Sequence, residues 1–224
     1  MSGKYSSATS IRKNILSLYR KSSHHSLQNI SQYLPHFSFQ LMIKHLEKGY
    51  NPIQLSHYEQ SIMANLRKIS LENLQKIQGI QEGLHNRVKS AALFSNNIND
   101  LIQNIKTKRY THTRIQRILI HSFLGLTRQE VDHFNQNGPL YIRILGFSEK
   151  GKYLLNKIKS FSSLPVITRV KDFYKDHNTS REKIGIEMLN YDILATNLYV
   201  LGYQNRLSRS AGWDFTKKII IDNK

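Results

Sequence analysis

Five cations, a tyrosine and a histidine lie within one short stretch of the chain. Residues 106–117 read K-T-K-R-Y-T-H-T-R-I-Q-R, and no acidic residue occurs between Asp100 and Glu130. Lysine and arginine neutralise phosphates, while an aromatic ring can stack on an unpaired base. The stretch therefore predicts a nucleic-acid interface. The alternative is a basic helix face that is only solvated.

The charge of the whole chain favours the first interpretation. The 224 residues contain 33 Lys+Arg against 15 Asp+Glu, a formal net charge of +18 with a pI near 10.0. The first acidic residue is Glu47. Such a field attracts polyanions and speeds their encounter with the protein. With 39% apolar residues, the chain is expected to be globular, with one or two domains.

Several classes of protein are disfavoured by what the sequence lacks. It has no cysteine, which excludes disulfides and thiolate chemistry. The start has no apolar signal segment, and no apolar run approaches the ~20 residues that a spanning helix needs. We therefore expect a soluble cytoplasmic protein without a membrane partner. A basic peripheral membrane protein is disfavoured because no predicted helix has a continuous bulky apolar face.

The histidines and serines do not form a recognisable catalytic pattern. The ten histidines show none of the spacings typical of metal sites, and no Walker A or G-x-G-x-x-G loop is present. From local chemistry alone we assign no metal site and no catalytic residue.

Apolar periodicity predicts a largely helical chain. Residues 9–21 are predicted as a helix capped by Thr9. Residues 112–124 are predicted as a helix with an apolar face and an outward face of Arg114, Arg117 and His121. Further predicted helices lie at 26–34, 37–49, 56–69, from Gly83 onward, 98–105 and 180–200.

The pattern changes after Gly138. Residues 140–147 alternate and are rich in β-branched side chains, which predicts a strand. A helix capped by Ser148 follows, and residues 165–170 predict a second strand, so the three form a βαβ unit. Residues 202–218 are predicted as a loop before a strand at 219–221. The expected fold class is mainly α, a helical bundle with a small βαβ element in the C-terminal half.

Short motifs along the chain resemble those of a known family. Residues 7–12, S-A-T-S-I-R, resemble the I-S-S-T-x-I-R signature of HIGH-type nucleotidyltransferases, although Ala8 replaces a serine. Residues 82–88, E-G-L-H-N-R-V, are similar to the E-G-L-x-x-R-I block of bacterial tRNA(Met) cytidine acetate ligases. Residues 106–117 resemble that family's K-T-K-R-Y-T-x-T-R-[LI]-Q-R block. Later blocks match in the same order at 141–147, 164–168, 192–199, 214–216 and 219–221.

The resemblance implies an enzyme that uses ATP, with Mg²⁺, and acetate to form acetyladenylate. The acetyl group then passes to N4 of the wobble cytidine in elongator tRNA(Met). The implied nucleotide-binding residues are Ser7, Thr9 and Arg12. The implied tRNA-binding residues are Lys106, Lys108, Arg109, Arg114 and Arg117 as phosphate contacts and Tyr110 as a stacking ring.

The resemblance also predicts how the chain is organised. The family's H-x-G-H loop does not occur in the 224 residues, so the chain is expected to be the carboxy-terminal part of such a ligase and inactive alone. Residues 1–22 would be the edge of a nucleotidyltransferase domain, 23–137 a helical tRNA-binding region and 138–224 a small α/β region. The alternative is a non-catalytic RNA-binding or assembly module.

Overall fold

The structure is a computed structural model that describes residues 7–21, 28–175 and 179–222. Most of these residues lie in helices, so the expected mainly helical fold class is confirmed. The helices are α1 (Ala8–Lys21), α2 (Gln28–Ser31), α3 (His36–Glu47), α4 (Glu59–Lys68), α5 (Leu71–Lys76), α6 (Leu84–Phe94), α7 (Ile98–Ile105), α8 (His112–Leu124), α9 (Arg128–Asn137), α10 (Glu149–Phe161), α11 (Val170–Phe173), α12 (Ser180–Tyr199) and α13 (Trp213–Thr216).

Four short strands form two parallel pairs within the described residues. The strands are β1 (Ile142–Arg143), β2 (Gly146–Ser148), β3 (Val166–Ile167) and β4 (Ile220–Asp222). β1 pairs with β3, with α10 between them in the chain, and this pairing is the predicted βαβ connection. β2 pairs with β4 in a separate sheet.

The strand predicted at 140–147 is therefore two strands. The N–H of Ile144 donates to the carbonyl of Ile167 at 2.9 Å, whereas the carbonyl of Leu145 accepts from the N–H of Ile220 at 3.2 Å. Because consecutive residues bond to different partners, the chain leaves one sheet and enters the other. Periodicity cannot detect this change of partner, since the alternation continues through it.

The described chain divides into two compact units. One comprises Met1–His57 with Tyr199–Ser210, and the other comprises Tyr58–Leu198 with Ala211–Lys224. The domain boundaries expected at 22 and 137 stay predictions. Within the second unit α9 and α12 are in contact, since the rings of Phe134 and Tyr191 lie 5.9 Å apart.

The first unit joins the turn after α3 to the segment after α12. The side chain of Asn51 is 4% exposed and donates to the carbonyl of Gly202 at 3.2 Å. The rings of Tyr50 and Tyr203 meet edge to face at 5.0 Å. These contacts tie together parts of the sequence about 150 residues apart.

The second unit has a helical core formed by α4, α6, α7 and α8. The predicted apolar face of residues 98–105 is confirmed, because Ile98, Leu101, Ile102 and Ile105 are all 3% exposed or less. Asn97 caps α7, since its side-chain oxygen accepts from the N–H of Asp100 at 2.9 Å. This core fixes the end of α7 and the start of α8, and residues 106–111 join those two points.

A smaller apolar cluster supports the α/β part of the same unit. It contains Ile167, Val170, Phe173, Leu189 and Ile193, all at most 7% exposed. The cluster packs β3, α11 and α12 together. α12 agrees with the helix predicted at 180–200, and the predicted loop at 202–218 includes the short helix α13.

Two helices near the amino-terminal end differ from the predictions, one in its capping residue and one in its observed length. α1 starts at Ala8, and its cap is Ser7, whose Oγ accepts from the N–H of Ser10 at 3.1 Å. The predicted cap Thr9 therefore lies inside the first turn. Of the helix predicted at 26–34, Gln28–Ser31 is observed, and residues 26–27 lie outside the described residues.

No helix in the three described ranges combines the length and the apolar character that crossing a membrane requires.

Candidate nucleic-acid interface

The basic segment 106–117 is a closed turn followed by a helix. α7 ends at Ile105, and α8 begins at His112. Between them, the N–H of Tyr110 donates to Thr107 Oγ1 at 3.1 Å, and the N–H of Thr107 donates to the carbonyl of Tyr110 at 3.3 Å. Lys108 and Arg109 therefore lie at the tip of a turn that is closed by two hydrogen bonds.

Three of the predicted phosphate contacts are open to solvent. Lys106, Lys108 and Arg117 are exposed, and among the described residues none of them has an ion-pair partner. An open depression beside Arg117 is lined by Thr113, Gln116, Ile120 and His121. Cations of this kind can bind a phosphate without first breaking a contact inside the protein.

Arg109 is exposed but engaged. Its guanidinium forms an ion pair with Glu82, and both side chains are 58% exposed. The hydrogen bond from Arg109 to Glu82 and the negative charge of that carboxylate raise the pKa of the guanidinium. A phosphate would have to replace Glu82 or share Arg109 with it.

Tyr110, the predicted stacking ring, is largely buried. It is 8% exposed, and the guanidinium of Arg114 lies 5.0 Å from its ring centroid. Arg109 approaches the same ring at 5.9 Å. Little of the ring is therefore exposed, and Tyr110 supports two arginines by cation–π contact. Its role as a stacking ring stays a prediction.

The outward face predicted for α8 is only partly outward. Arg114 is half-buried and lies 3.5 Å from the carbonyl of Gly79 and from the side-chain oxygen of Gln81. His121 is also half-buried, with Nδ1 at 3.0 Å from the carbonyl of Gln78. Arg117 is the exposed member of the predicted trio, because Arg114 and His121 face residues 78–81.

Residues 82–88 hold the basic turn from both sides. Nε of Arg87 donates to the carbonyl of Ile105 at 2.8 Å, and its Nη2 donates to those of Asn104 at 2.7 Å and Lys106 at 3.3 Å. The guanidinium thus caps the end of α7, where carbonyls lack helical partners. Arg87 thus binds the start of the turn at residues 106–111, and Glu82 binds its tip through the ion pair with Arg109.

This arrangement depends on an unusual backbone. Glu82 has φ of 48° and Gly83 has φ of 74°, two consecutive residues in the left-handed region that favours glycine. The turn precedes α6 and brings Glu82 to Arg109. Sequence reasoning missed the role of Glu82 and Arg87, although the shared block at 82–88 indicated that the segment matters.

Other cations of the helical core also bind backbone carbonyls. Nζ of Lys89 donates to the carbonyls of Leu66, Arg67 and Ile69 at 3.0, 2.7 and 2.6 Å. Nε of Arg67 donates to the carbonyl of Ala92 at 2.8 Å. These side chains cap α4 and α6, so they are not available to a polyanion.

The predicted nucleotide-binding residues lie together at the start of α1. Ser7, Thr9 and Arg12 are all exposed. Helix starts with serine and threonine donors bind anions, because amide N–H groups and the helix dipole point toward them. Thr9 and Arg12 could therefore contact a phosphate, while Ser7 already accepts one amide as the cap.

The later sequence blocks contact one another in the α/β part. The hydroxyl of Tyr141 donates to Asp192 at 2.6 Å, and Arg143 forms an ion pair with Asp214. Burial and this hydrogen bond raise the pKa of the Tyr141 hydroxyl. These residues bind to each other and so build the scaffold of this region.

No group of three His, Asp or Glu side chains that could hold a metal ion occurs in the described part of the chain.

Comparison with known proteins identifies the class. The family described as HIGH Nucleotidyl Transferase matches residues 1–213. The chain belongs to the HIGH nucleotidyl transferase family.

The chain is similar in sequence to several tRNA(Met) cytidine acetate ligases. The chain is 37% identical to the one from Thermosipho africanus, across 99% of this chain and 53% of that protein. It is 36% identical to the one from Acetivibrio thermocellus, across 99% of this chain and 52% of the relative. The chain thus spans about half the length of the curated relatives it matches.

The chain is also similar in structure to a solved protein. Thermotoga maritima TmcAL bound with alpha-thio ATP aligns with a TM-score of 0.88 and 28% identity, covering 99% of this chain and 53% of that one. The apo form of the same protein also aligns with a TM-score of 0.88.

Proposed function

We propose that this chain is the tRNA-binding part of an ATP- and acetate-dependent ligase that forms N4-acetylcytidine at the wobble position of elongator tRNA(Met). The observation that carries the proposal is the 37% identity to a tRNA(Met) cytidine acetate ligase over 99% of the chain. The exposed cations of residues 106–117 support the tRNA-binding role. A non-catalytic RNA-binding module is the alternative.

In the proposed reaction a carboxylate oxygen of acetate attacks the α-phosphate of ATP and releases pyrophosphate. The N4 amine of the cytidine then attacks the acyl carbon, and AMP leaves. Lys106, Lys108 and Arg117 contact tRNA phosphates directly, and Arg109 does so after exchange with Glu82. Arg114 adds positive charge from its place on Tyr110.

The nucleotide-binding role is assigned to the start of α1. Ser7, Thr9 and Arg12 form one wall of a phosphate site, and Arg12 stabilises the charge that develops as pyrophosphate departs. These 224 residues contain no H-x-G-H segment, so they supply one wall of the proposed site. The isolated 224-residue polypeptide is therefore expected not to form acetyladenylate.

The test is reconstitution with the part of Thermotoga maritima TmcAL that this chain does not match. The mixture should catalyse acetate-dependent exchange between ATP and pyrophosphate and should acetylate elongator tRNA(Met), whereas the chain alone should do neither. Robust exchange by the pure chain would contradict the assignment of the nucleotide site.

Arg12→Ala separates the two proposed sites in the same assay. We expect a loss of adenylation of roughly 10²-fold, as when one charge-stabilising donor is removed, with tRNA affinity unchanged. Lys13→Ala is the matched control, because it removes an exposed neighbouring cation on the same helix. A fall in tRNA affinity with intact adenylation would assign Arg12 to the RNA surface.

A further inference from the structure

Helix α10 carries an exposed face that the family motifs do not cover. Lys150, Leu154, Lys157 and Phe161 follow one another at intervals of three or four residues, so they lie along one side of the helix. Tyr153 is 62% exposed, Leu154 58% and Phe161 86%. Leu155, on the other side, is the buried residue of α10. Exposed apolar side chains gathered on one side of a helix are typical of an interaction surface.

Positive charges lie among these rings. Nζ of Lys157 lies 4.8 Å from the ring centroid of Tyr153. Within residues 7–21, 28–175 and 179–222, no carboxylate forms an ion pair with a lysine of α10. The acidic residue of the helix is Glu149 in its first turn. The face therefore offers aromatic rings and unneutralised amines side by side.

We propose that the face formed by Lys150, Tyr153, Leu154, Lys157 and Phe161 binds an unpaired segment of RNA. Bases stack on Tyr153 and Phe161, and the phosphates between them contact Lys150 and Lys157. Proteins bind single-stranded nucleic acid with this combination, because aromatic rings stack on the bases and cationic side chains bind the phosphates. The inference rests on the proposed RNA-binding function and adds a second contact surface to it.

The position of the amines argues against a membrane as the partner. An interfacial helix inserts an apolar face and keeps its cations on the opposite, polar face. On α10, Lys150 and Lys157 lie between Tyr153 and Phe161, so insertion of the rings would bury two charges. RNA offers phosphates at the spacing of its bases and imposes no such cost.

The helix supplies its own matched control. Lys152 and Lys159 are exposed lysines on the flank next to buried Leu155, away from Tyr153 and Phe161. Lys152→Ala/Lys159→Ala thus removes the same charge from the same helix as Lys150→Ala/Lys157→Ala. The third variant is Tyr153→Ala/Phe161→Ala, which removes only exposed rings. Equal thermal midpoints for the three variants would show that each remains folded.

The probes are a twelve-nucleotide oligouridylate and a blunt RNA duplex, titrated by fluorescence anisotropy at several salt concentrations. The ring variant should bind oligouridylate roughly tenfold or more weakly, since stacking contributes at each base, and bind the duplex almost unchanged. The Lys150/Lys157 variant should lower the slope of log K against log salt by about 1.4. The control variant should change both quantities much less.

Several results would overturn the inference. Equal losses in the two lysine variants would mean that α10 adds only general charge, and an unaffected ring variant would mean that the rings are merely solvated. Binding to acidic phospholipid vesicles that is lost in the ring variant, with RNA binding intact, would assign the face to a membrane. Loss of RNA binding in Lys106→Ala/Arg117→Ala alone would reject this face and leave the proposed function standing. No RNA binding by the wild-type chain would reject both.

Discussion

Two segments of the second unit, residues 82–89 and 106–117, both carry cations, yet their charges are used in opposite ways. In residues 82–89, Arg87 and Lys89 donate to six backbone carbonyls at 2.6 to 3.3 Å. In residues 106–117, Lys106, Lys108 and Arg117 extend into solvent. The first segment caps helices and holds the turn of the second, and the second presents charge.

The difference shows that the groups around a cationic side chain decide whether it can bind a polyanion. Arg87 reaches the end of α7, where three carbonyls converge on one guanidinium. Arg117 lies on the exposed side of α8. Net charge describes the attraction of the whole molecule for polyanions, whereas local contacts decide which side chains remain available.

The largest expected effect comes from Tyr110→Ala. Because the ring is 8% exposed beneath Arg114, its removal leaves a cavity and should lower the free energy of unfolding by about 3 kcal/mol. Chemical denaturation monitored by circular dichroism measures this change. Tyr110→Phe is the control and should be close to neutral. A stable Tyr110→Ala protein with weakened RNA binding would contradict this expectation and support the predicted stacking role.

Arg87→Ala should have the next largest effect. The three carbonyls at the end of α7 lose a charged donor, so stability should fall by about 2 kcal/mol, or roughly 4–8 °C in the thermal midpoint. Differential scanning calorimetry is the measurement. Arg87→Lys should restore only part of the loss, because an amine lacks the planar fork. An unchanged midpoint would place Arg87 among the solvated cations.

Lys106→Ala should weaken tRNA binding and leave stability almost unchanged, the opposite of what is expected for Arg87→Ala. The side chain is exposed, so its removal should leave the thermal midpoint within about 1 °C and weaken tRNA binding several-fold. Only the aliphatic stem and the charge are lost, since the N–H of Lys106 that bonds to Ile102 belongs to the backbone. The control is Lys68→Ala, another exposed cation at the end of a helix but outside the interface. Equal effects on tRNA binding would mean that the charge acts without a defined site.

Glu82→Gln should give the smallest effect, and it should be a gain. The substitution releases Arg109 from an ion pair whose members are both 58% exposed, and such pairs contribute at most about 1 kcal/mol. Affinity for tRNA should therefore rise by no more than roughly fivefold, as measured by filter binding. Weaker binding would mean that Glu82 positions Arg109 for the RNA, and Glu82→Asp would then be expected to retain wild-type affinity.

The sequence predicted those features that depend on nearby residues. The apolar face at 98–105 was found because its spacing reflects burial against neighbouring helices. The role of Arg87 could not be predicted from spacing, because its partners lie 17 to 19 residues away. Those partners are backbone carbonyls, which every residue type carries, so the sequence does not mark them. The burial of Tyr110 could not be predicted for a related reason, since it depends on how α7 and α8 pack against each other.

The candidate site residues were predicted only from their positions in motifs. Ser7, Thr9 and Arg12 come from the motif at residues 7–12, and their roles stay predictions. The helix cap was placed at Thr9 and not at Ser7, because either side chain can cap a helix. In α8, helical spacing correctly separated an apolar face from a basic one. It could not show that residues 78–81 cover Arg114 and His121.

The most direct test of the central claim is the salt dependence of tRNA binding by the wild-type chain and by Arg117→Ala. The three to four phosphate contacts of residues 106–117 predict a slope of log K against log salt between about −2 and −4, and the two lysines of α10 add about −1.4. Arg117→Ala should reduce that slope by roughly one, with an unchanged thermal midpoint. A wild-type slope near zero, or an Arg117→Ala protein with the wild-type slope and reduced stability, would contradict the assignment of residues 106–117 to tRNA.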